Sequence, residues 1–242
     1  MTDKKPPAKG PSGKISATPK TPRGLQKKIR VKSRNKRTVS SANWLERQLN
    51  DPYVTAAKAE GYRSRAAFKL IQMHEELDLL KPGYKVVDLG AAPGGWMQIA
   101  AEIVQPLKTG GRIVGIDYLE MGPIPETEFI CLDFMDDSAP AKLKKAIGGK
   151  ANVVLSDMAP PTVGHKKTDH LRIMGLAEAA YEFAHEILVP GGTFLSKVFM
   201  GGAEKDFLNG LKRDFVKVKH IKPHASRSDS SEMYVVGLGF RG

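Results

Sequence analysis

Val86-Val87-Asp88-Leu89-Gly90-Ala91-Ala92-Pro93-Gly94-Gly95-Trp96 decides the fold of this chain. Two β-branched residues and an acid run into a turn of small residues, and the apolar stretch from Trp96 to Val104 follows. That order reads as a buried strand, a tight turn and a helix start. Gly90, Gly94 and Gly95 allow a backbone approach that a Cβ would block. In open α/β sheets a ligand sits over such a turn, at the carboxyl ends of the strands. The stretch therefore predicts a cofactor cradle that opens a doubly wound sheet.

The spacing narrows the cofactor. A dinucleotide fingerprint needs Gly-x-Gly-x-x-Gly, with bare amides facing a pyrophosphate. Here it is Gly90-x-x-x-Gly94-Gly95, with Asp88 just ahead. A carboxylate at that place suits a cationic amino-acid tail better than phosphates. S-adenosylmethionine has such a tail.

Outward from this turn, strands alternate with helices. Strands are expected at 84–89, 112–117, 128–133, 152–157, 192–199, 215–221 and 233–240. Helices are expected at 94–104, 138–147, 168–188 and 203–213, the third stopped by Pro190-Gly191-Gly192. Ahead of the first strand, Ser41 or Asn43 caps a short helix anchored by Trp44, and Asp51-Pro52-Tyr53 breaks it. Ser64 caps a second helix with Phe68, Ile71, Leu77 and Leu80 at helical spacing, ended by Lys81-Pro82-Gly83. The alternation predicts an α/β fold with a mostly parallel seven-stranded sheet and helices on both faces.

Charge divides the chain differently. The formal net charge is +12 over 242 residues. Residues 1–40 hold 13 Lys or Arg against one acid, Asp3, so the remainder is neutral. With almost nothing to bury, residues 1–40 read as a disordered, phosphate-seeking arm, or as a solvated tail, ahead of a single domain over 41–242. One cysteine, Cys131, excludes a disulfide framework and fits a reducing compartment. No apolar run approaches the roughly 20 residues of a membrane span, and no signal peptide is visible, so a cytoplasmic protein is expected. His165 and His170 lack the neighbours of a zinc site, and no metal is expected.

The acids carry the chemistry. Asp88, Asp117, Asp133 and Asp157 are each expected to close a different apolar strand, and so to point at one rim. Asp117 stands where an acid reaches ribose hydroxyls, and Asp133 where one accepts from an adenine amino group. Trp96 either flanks the cofactor or packs in the core. Lys166, Lys167, Arg172 and Arg227 suit phosphate contacts at the substrate rim. Asp157-Met158-Ala159-Pro160-Pro161 resembles the acid-x-Pro-Pro turn of amino-directed adenine methyltransferases, but two residues separate the acid from the prolines and no aromatic follows.

From about Trp44 onward the chain resembles the FtsJ/RrmJ-type large-subunit ribosomal RNA 2′-O-ribose methyltransferases. The resemblance rests on Ser64-Arg65-Ala66-Ala67-Phe68-Lys69-Leu70, Asp88 through Trp96, Ser156-Asp157-Met158-Ala159-Pro160, Leu195-Ser196-Lys197-Val198-Phe199 and Ser226-Arg227-Ser228-Asp229-Ser230-Ser231-Glu232-Met233-Tyr234. It implies a Rossmann-like class I fold and a Lys-Asp-Lys-Glu tetrad, here Lys69, Asp157, Lys197 and Glu232. It also implies cofactor contacts at Gly94, Trp96, Asp117, Asp133 and Asp157, to which the residue reading adds Asp88. The implied reaction is S-adenosylmethionine-dependent methylation of a uridine ribose in 23S rRNA, with S-adenosylhomocysteine as product. The same chemistry on tRNA, and a non-catalytic assembly factor, are the alternatives.

The tetrad suits a ribose hydroxyl, which must lose its proton as the methyl arrives. Lys197 serves as proton acceptor if its pKa falls from ~10.4 toward neutrality, and a second ammonium and burial both act that way. Asp157 acts in the opposite sense, so a charged Lys197 that stabilises the developing alkoxide stays open. A monomer is expected, since no exposed apolar helix stripe is left unexplained.

Overall fold

The computed structural model describes residues 38–161, 163–199, 205–227 and 230–242. Residues 1–37 of the basic arm, the first residues of the helix expected from 203, and Ser228-Asp229 of the motif lie outside the described residues, as do the side chains of Trp44 and Lys166.

The sheet is built from β1 (Lys85–Leu89), β2 (Arg112–Asp117), β3 (Glu128–Cys131), β4 (Ala151–Ser156), β5 (Leu188–Phe199), β6 (Phe215–Ile221) and β7 (Glu232–Phe240). Their order is β3-β2-β1-β4-β5-β7-β6. The first five run parallel, and β7 lies antiparallel between β5 and β6. Strand order reverses between β1 and β4, which opens a crevice at their carboxyl ends.

The period-2 alternation of the strands divides the core. Val86, Ile113, Val153, Leu155 and Val236 face one side; Val87, Val114, Val154 and Val235 face the other. The first face is covered by α2 (Pro52–Glu60), α3 (Ala66–Leu77) and α4 (Gly95–Val104), the second by α6 (Ala139–Ile147), α7 (Lys166–Ile187) and α8 (Lys205–Asp214). Two further helices complete the described chain, α1 (Val39–Leu49) and the single turn α5 (Pro106–Thr109).

Local chemistry accounts for the departures from expectation. Thr38, not Ser41 or Asn43, caps α1, its Oγ1 accepting from Ser41 N. Asp51-Pro52 ends α1 but also starts α2, with Asp51 as N-cap and Pro52 in the first turn, where proline is pre-organised. Ser64 caps nothing, because its Oγ is buried without a partner beside Gly95, where a Cβ would lie 2.5 Å away. Tight α3–α4 packing has taken that hydroxyl out of capping reach. Asp78, with φ of 51°, ends α3 before Lys81-Pro82-Gly83 is reached. Pro190-Gly191-Gly192 does not separate helix from strand: β5 already begins at Leu188, paired with Ala151, and the irregularity is absorbed between Ala151 and Val153. β3 stops at Cys131, two residues short of Asp133.

Candidate active site

Four elements deliver the tetrad to one place. Lys69 comes from α3, Asp157 from the residue after β4, Lys197 from β5 and Glu232 from the first position of β7. Antiparallel pairing sets Phe199 opposite Glu232 and Lys197 opposite Tyr234. Lys197 Nζ lies 2.8 Å from Asp157 Oδ1 and 3.8 Å from Glu232 Oε1, and donates to the Asp157 carbonyl at 2.8 Å. Lys69 Nζ lies 3.2 Å from Glu232 Oε2. Two ammonium groups and two carboxylates thus alternate.

A fifth member, Tyr234, was not singled out from sequence. Its ring is wholly buried, its hydroxyl donates to Asp157 Oδ1 at 2.6 Å and accepts from Lys69 Nζ at 3.0 Å. The signal was available: Glu232 and Tyr234 are two apart in a strand and so share a face.

The electrostatics follow from this closure. Burial pulls the Lys197 pKa down, but Asp157 and then Glu232 outweigh it and hold the ammonium above the usual lysine value. Burial pushes Asp157 up, and Lys197, Lys69 and the Lys197 and Tyr234 hydrogen bonds bring it below the ordinary carboxylate range. Glu232 is likewise lowered: burial raises it, and the two lysines prevail. Burial and the Asp157 charge together drive the Tyr234 hydroxyl well above its normal value, so it stays a donor. Lys197, Asp157 and Glu232 are thus each held in the charged form at rest.

Beside Asp157 a cavity of about 480 Å³ opens over the ends of β1, β2 and β4. Gly90, Asp117, Asp133, Asp157, Pro160 and Arg172 are among its lining residues. Gly90 has φ of 78°, and a Cβ there would meet Met158 at 2.9 Å, so the floor tolerates only glycine. Asp117 is tied to both walls, Oδ2 accepting from Ala92 N at 3.0 Å and Oδ1 from Leu119 N at 2.9 Å. Each oxygen keeps a lone pair for a further donor. Asp133 is exposed at the rim and accepts from Met135 N. The loop after Asp157 is braced from α7: Asp169 accepts from Val163 N and Gly164 N, and Arg172 donates to the Pro161 carbonyl at 2.9 Å.

Three expected cofactor contacts, Asp88, Trp96 and Gly94, are not among the residues that line this cavity. Asp88 does not close its strand; it is the fourth residue of β1, buried, with neither carboxylate oxygen paired. Burial, then Asp157 and Asp117, push it well above the carboxylate range. Trp96 does not line the cavity: its Nε1 donates to the Ala66 carbonyl and its ring packs 5.7 Å from that of Tyr234. Its role in the structure is to join α3, α4 and β7. Gly94 starts α4 against Arg63 and Ile124 and is also not a lining residue.

Of the expected phosphate contacts, Arg172 reaches the cavity, while Arg227 faces Asp51, with Nε 3.5 Å from its Oδ2. His165 caps α7, accepting from Thr168 N. Among the described residues no group of three or more His, Cys, Asp or Glu stands together as a metal site, and no helix is long and apolar enough to cross a membrane.

The chain is similar to known methyltransferases. A family model described as FtsJ-like methyltransferase matches residues 62–240. A Xanthobacter autotrophicus protein named ribosomal RNA large subunit methyltransferase E is 56% identical over 228 residues, covering 94% of this chain and 90% of that one. A protein of the same name from Paramagnetospirillum magneticum is 59% identical over 216 residues, 88% of each chain. A solved structure from Plasmodium falciparum, named as a ribosomal RNA methyltransferase, is 33% identical with a TM-score of 0.66, covering 75% of this chain and all of that one.

Proposed function

The chain belongs to the FtsJ-like methyltransferase family, and from that premise we propose that it methylates the 2′-oxygen of a uridine ribose in 23S rRNA of the large ribosomal subunit, using S-adenosylmethionine. Its seven-stranded, mostly parallel sheet is that of a Rossmann-like class I methyltransferase. The observation that carries the reading is the run of ion pairs Asp157–Lys197–Glu232–Lys69, at 2.8, 3.8 and 3.2 Å, closed through the Tyr234 hydroxyl beside the cavity. The relatives named ribosomal RNA large subunit methyltransferase E support the substrate class.

The residues fit the cofactor. Asp88 is a buried carboxyl with no partner, the group that a cationic amino-acid tail satisfies. Asp117 and Asp133 have acceptor capacity for ribose hydroxyls and an adenine amino group, and Gly90 leaves the floor open. Bound there, S-adenosylmethionine supplies an electrophilic methyl group carried on a sulfonium.

Lys197 then works on the ribose. At rest it is an ammonium, because Asp157 and Glu232 outweigh burial. To accept the 2′-hydroxyl proton it must first shed its own, and a further cation in the cavity, together with RNA closing off solvent, pushes in that direction. A neutral Lys197 Nζ would take the hydroxyl proton, so that the 2′-oxygen could bond to the methyl carbon as the carbon–sulfur bond breaks and S-adenosylhomocysteine leaves. Asp157 keeps the amine aimed, and Lys69, held by Glu232 and Tyr234, stabilises the negative charge developing on the oxygen. The enzyme acts in this reading as a cytoplasmic monomer whose basic arm, residues 1–40, adds salt-sensitive affinity for RNA.

The test is transfer of labelled methyl to purified large subunits, 23S rRNA and tRNA, followed by nucleoside mapping. A 2′-O-methyluridine in large-subunit rRNA, lost in Lys197→Ala, is the expected result. Label in tRNA alone moves the substrate, and no label in any RNA despite cofactor binding leaves an assembly factor.

A further inference from the structure

Behind the tetrad lies a second polar network that the reaction above does not use. It centres on Asp51, buried at the junction of α1 and α2 and ahead of the residues matched by the family model. Asp51 Oδ1 accepts from Tyr53 N at 3.0 Å and so caps α2. Its Oδ2 takes two cations, Arg65 Nη1 in a direct ion pair and Arg227 Nε at 3.5 Å. The other arm of Arg65, Nη2, donates to the Ala225 carbonyl. Gln72 completes the ring, accepting from Ala225 N at 2.7 Å and donating to the Tyr53 hydroxyl at 3.2 Å.

These contacts join three pieces of chain that bear on the tetrad. Arg65 stands one helical turn before Lys69. Ala225 and Arg227 lie in the connection from β6 that leads into Glu232. Asp51 supplies the fixed end. The helices themselves are held by apolar packing, with Phe68 against Tyr53 and Tyr62 at ring separations of 5.5 and 5.7 Å. The 222–227 stretch places Ala225 in the core, and its backbone is tied by polar contacts: Ala225 N and carbonyl to Gln72 and Arg65, and the Pro223 carbonyl to Ser226 N. A buried network of this kind fixes a register more than it adds stability.

We infer that Asp51 is a positioning residue for methyl transfer: through Arg65 and Arg227 it sets the 222–227 segment, and with it the placement of Glu232 against Lys69 and Lys197. This rests on the methyl-transfer reading above. Beyond Asp51, Glu232 is the acid that acts most on the Arg65 charge, so loss of the Asp51 charge shifts that balance toward Glu232.

The discriminating variant is Asp51→Asn, because asparagine keeps an oxygen to cap α2 through Tyr53 N while its amide nitrogen replaces the charged acceptor of Arg65 and Arg227. Wild type, Asp51→Asn and Asp51→Glu are compared as full-length protein, well below the unfolding temperature of each. The expected result is a fall in kcat of about 10- to 100-fold, the scale set by small misplacements of catalytic groups. The Kd for S-adenosylmethionine should stay within about twofold, since the cavity lies over β1, β2 and β4, and Asp51→Glu should restore most of the rate. Hydrogen exchange should rise at 222–227. An unchanged kcat with unchanged exchange overturns the inference, as does a cofactor affinity that falls in step with kcat. If wild type itself transfers no methyl to RNA, the reading above fails, and exchange at 222–227 still decides whether Asp51 holds that segment.

Discussion

Replacing Lys197 separates a proton acceptor from a permanently charged clamp. Its ammonium is 2.8 Å from Asp157 Oδ1 and 3.8 Å from Glu232 Oε1, and its side chain is 6% exposed. At an effective dielectric near 20 the gross attractions are about 6 and about 4 kcal/mol, most of it offset by desolvation. Lys197→Ala takes one cation from the half-buried Asp157 and Glu232, which Tyr234 and Lys69 still hold, and should lower stability by about 1–3 kcal/mol. It should also remove the proton acceptor, which costs about 10²- to 10⁴-fold in kcat, or about 3–5 kcal/mol of barrier. Lys197→Arg keeps the positive charge beside Asp157 but cannot give up a proton at any working pH. The melting temperature should therefore recover toward wild type in Lys197→Arg while the rate does not. Single-turnover transfer of labelled methyl, read alongside thermal unfolding and cofactor Kd, makes the comparison. In wild type the logarithm of the rate should climb with unit slope through neutral pH, because the resting amine is held charged. A Lys197→Arg enzyme within about tenfold of wild type, with a flat pH profile, would refute the proton-acceptor role and leave the clamp.

Other outcomes follow from the cavity and its floor. Gly90→Ala forces a Cβ to 2.9 Å from Met158 at φ of 78°, and should weaken cofactor binding by calorimetry at least about tenfold while lowering stability by about 1–3 kcal/mol. Trp96→Phe removes the Nε1 bond to Ala66 and should cost about 1 kcal/mol in denaturant unfolding, with cofactor Kd unchanged; a large rise in Kd would restore Trp96 to the binding site. Asp88 has a raised pKa in the fold and ~3.9 when unfolded, so the native state retains a proton that the unfolded chain releases. Its effect on stability thus worsens as pH rises above about 4. Asp88→Asn should raise the melting temperature of the cofactor-free protein at pH 8 relative to wild type, and weaken cofactor binding; a lower melting temperature at pH 8 would mean that Asp88 is satisfied in the fold.

What the sequence determined alone was whatever depends on neighbours along the chain. β2 and β6 run over Arg112–Asp117 and Phe215–Ile221 as expected, because β-branched residues bounded by turn formers signal a strand locally. The Gly90–Gly95 turn and the parallel order followed from the same alternation. The tetrad was implied by the resemblance to the FtsJ/RrmJ-type methyltransferases, which rests on the short stretches that hold its four residues. Only tertiary structure decided the rest. Ser64 lost its cap to the approach of Gly95 from another helix, and Trp96 went to the core because Ala66 and Tyr234 come to meet it. Asp88 and Asp117 are both acids in apolar strands, yet one is unpaired and the other holds two backbone amides. The charge on Lys197 is of the same kind. Burial and two carboxylates act on it in opposite senses, and distances set by strand pairing, which no local stretch encodes, determine that the carboxylates prevail.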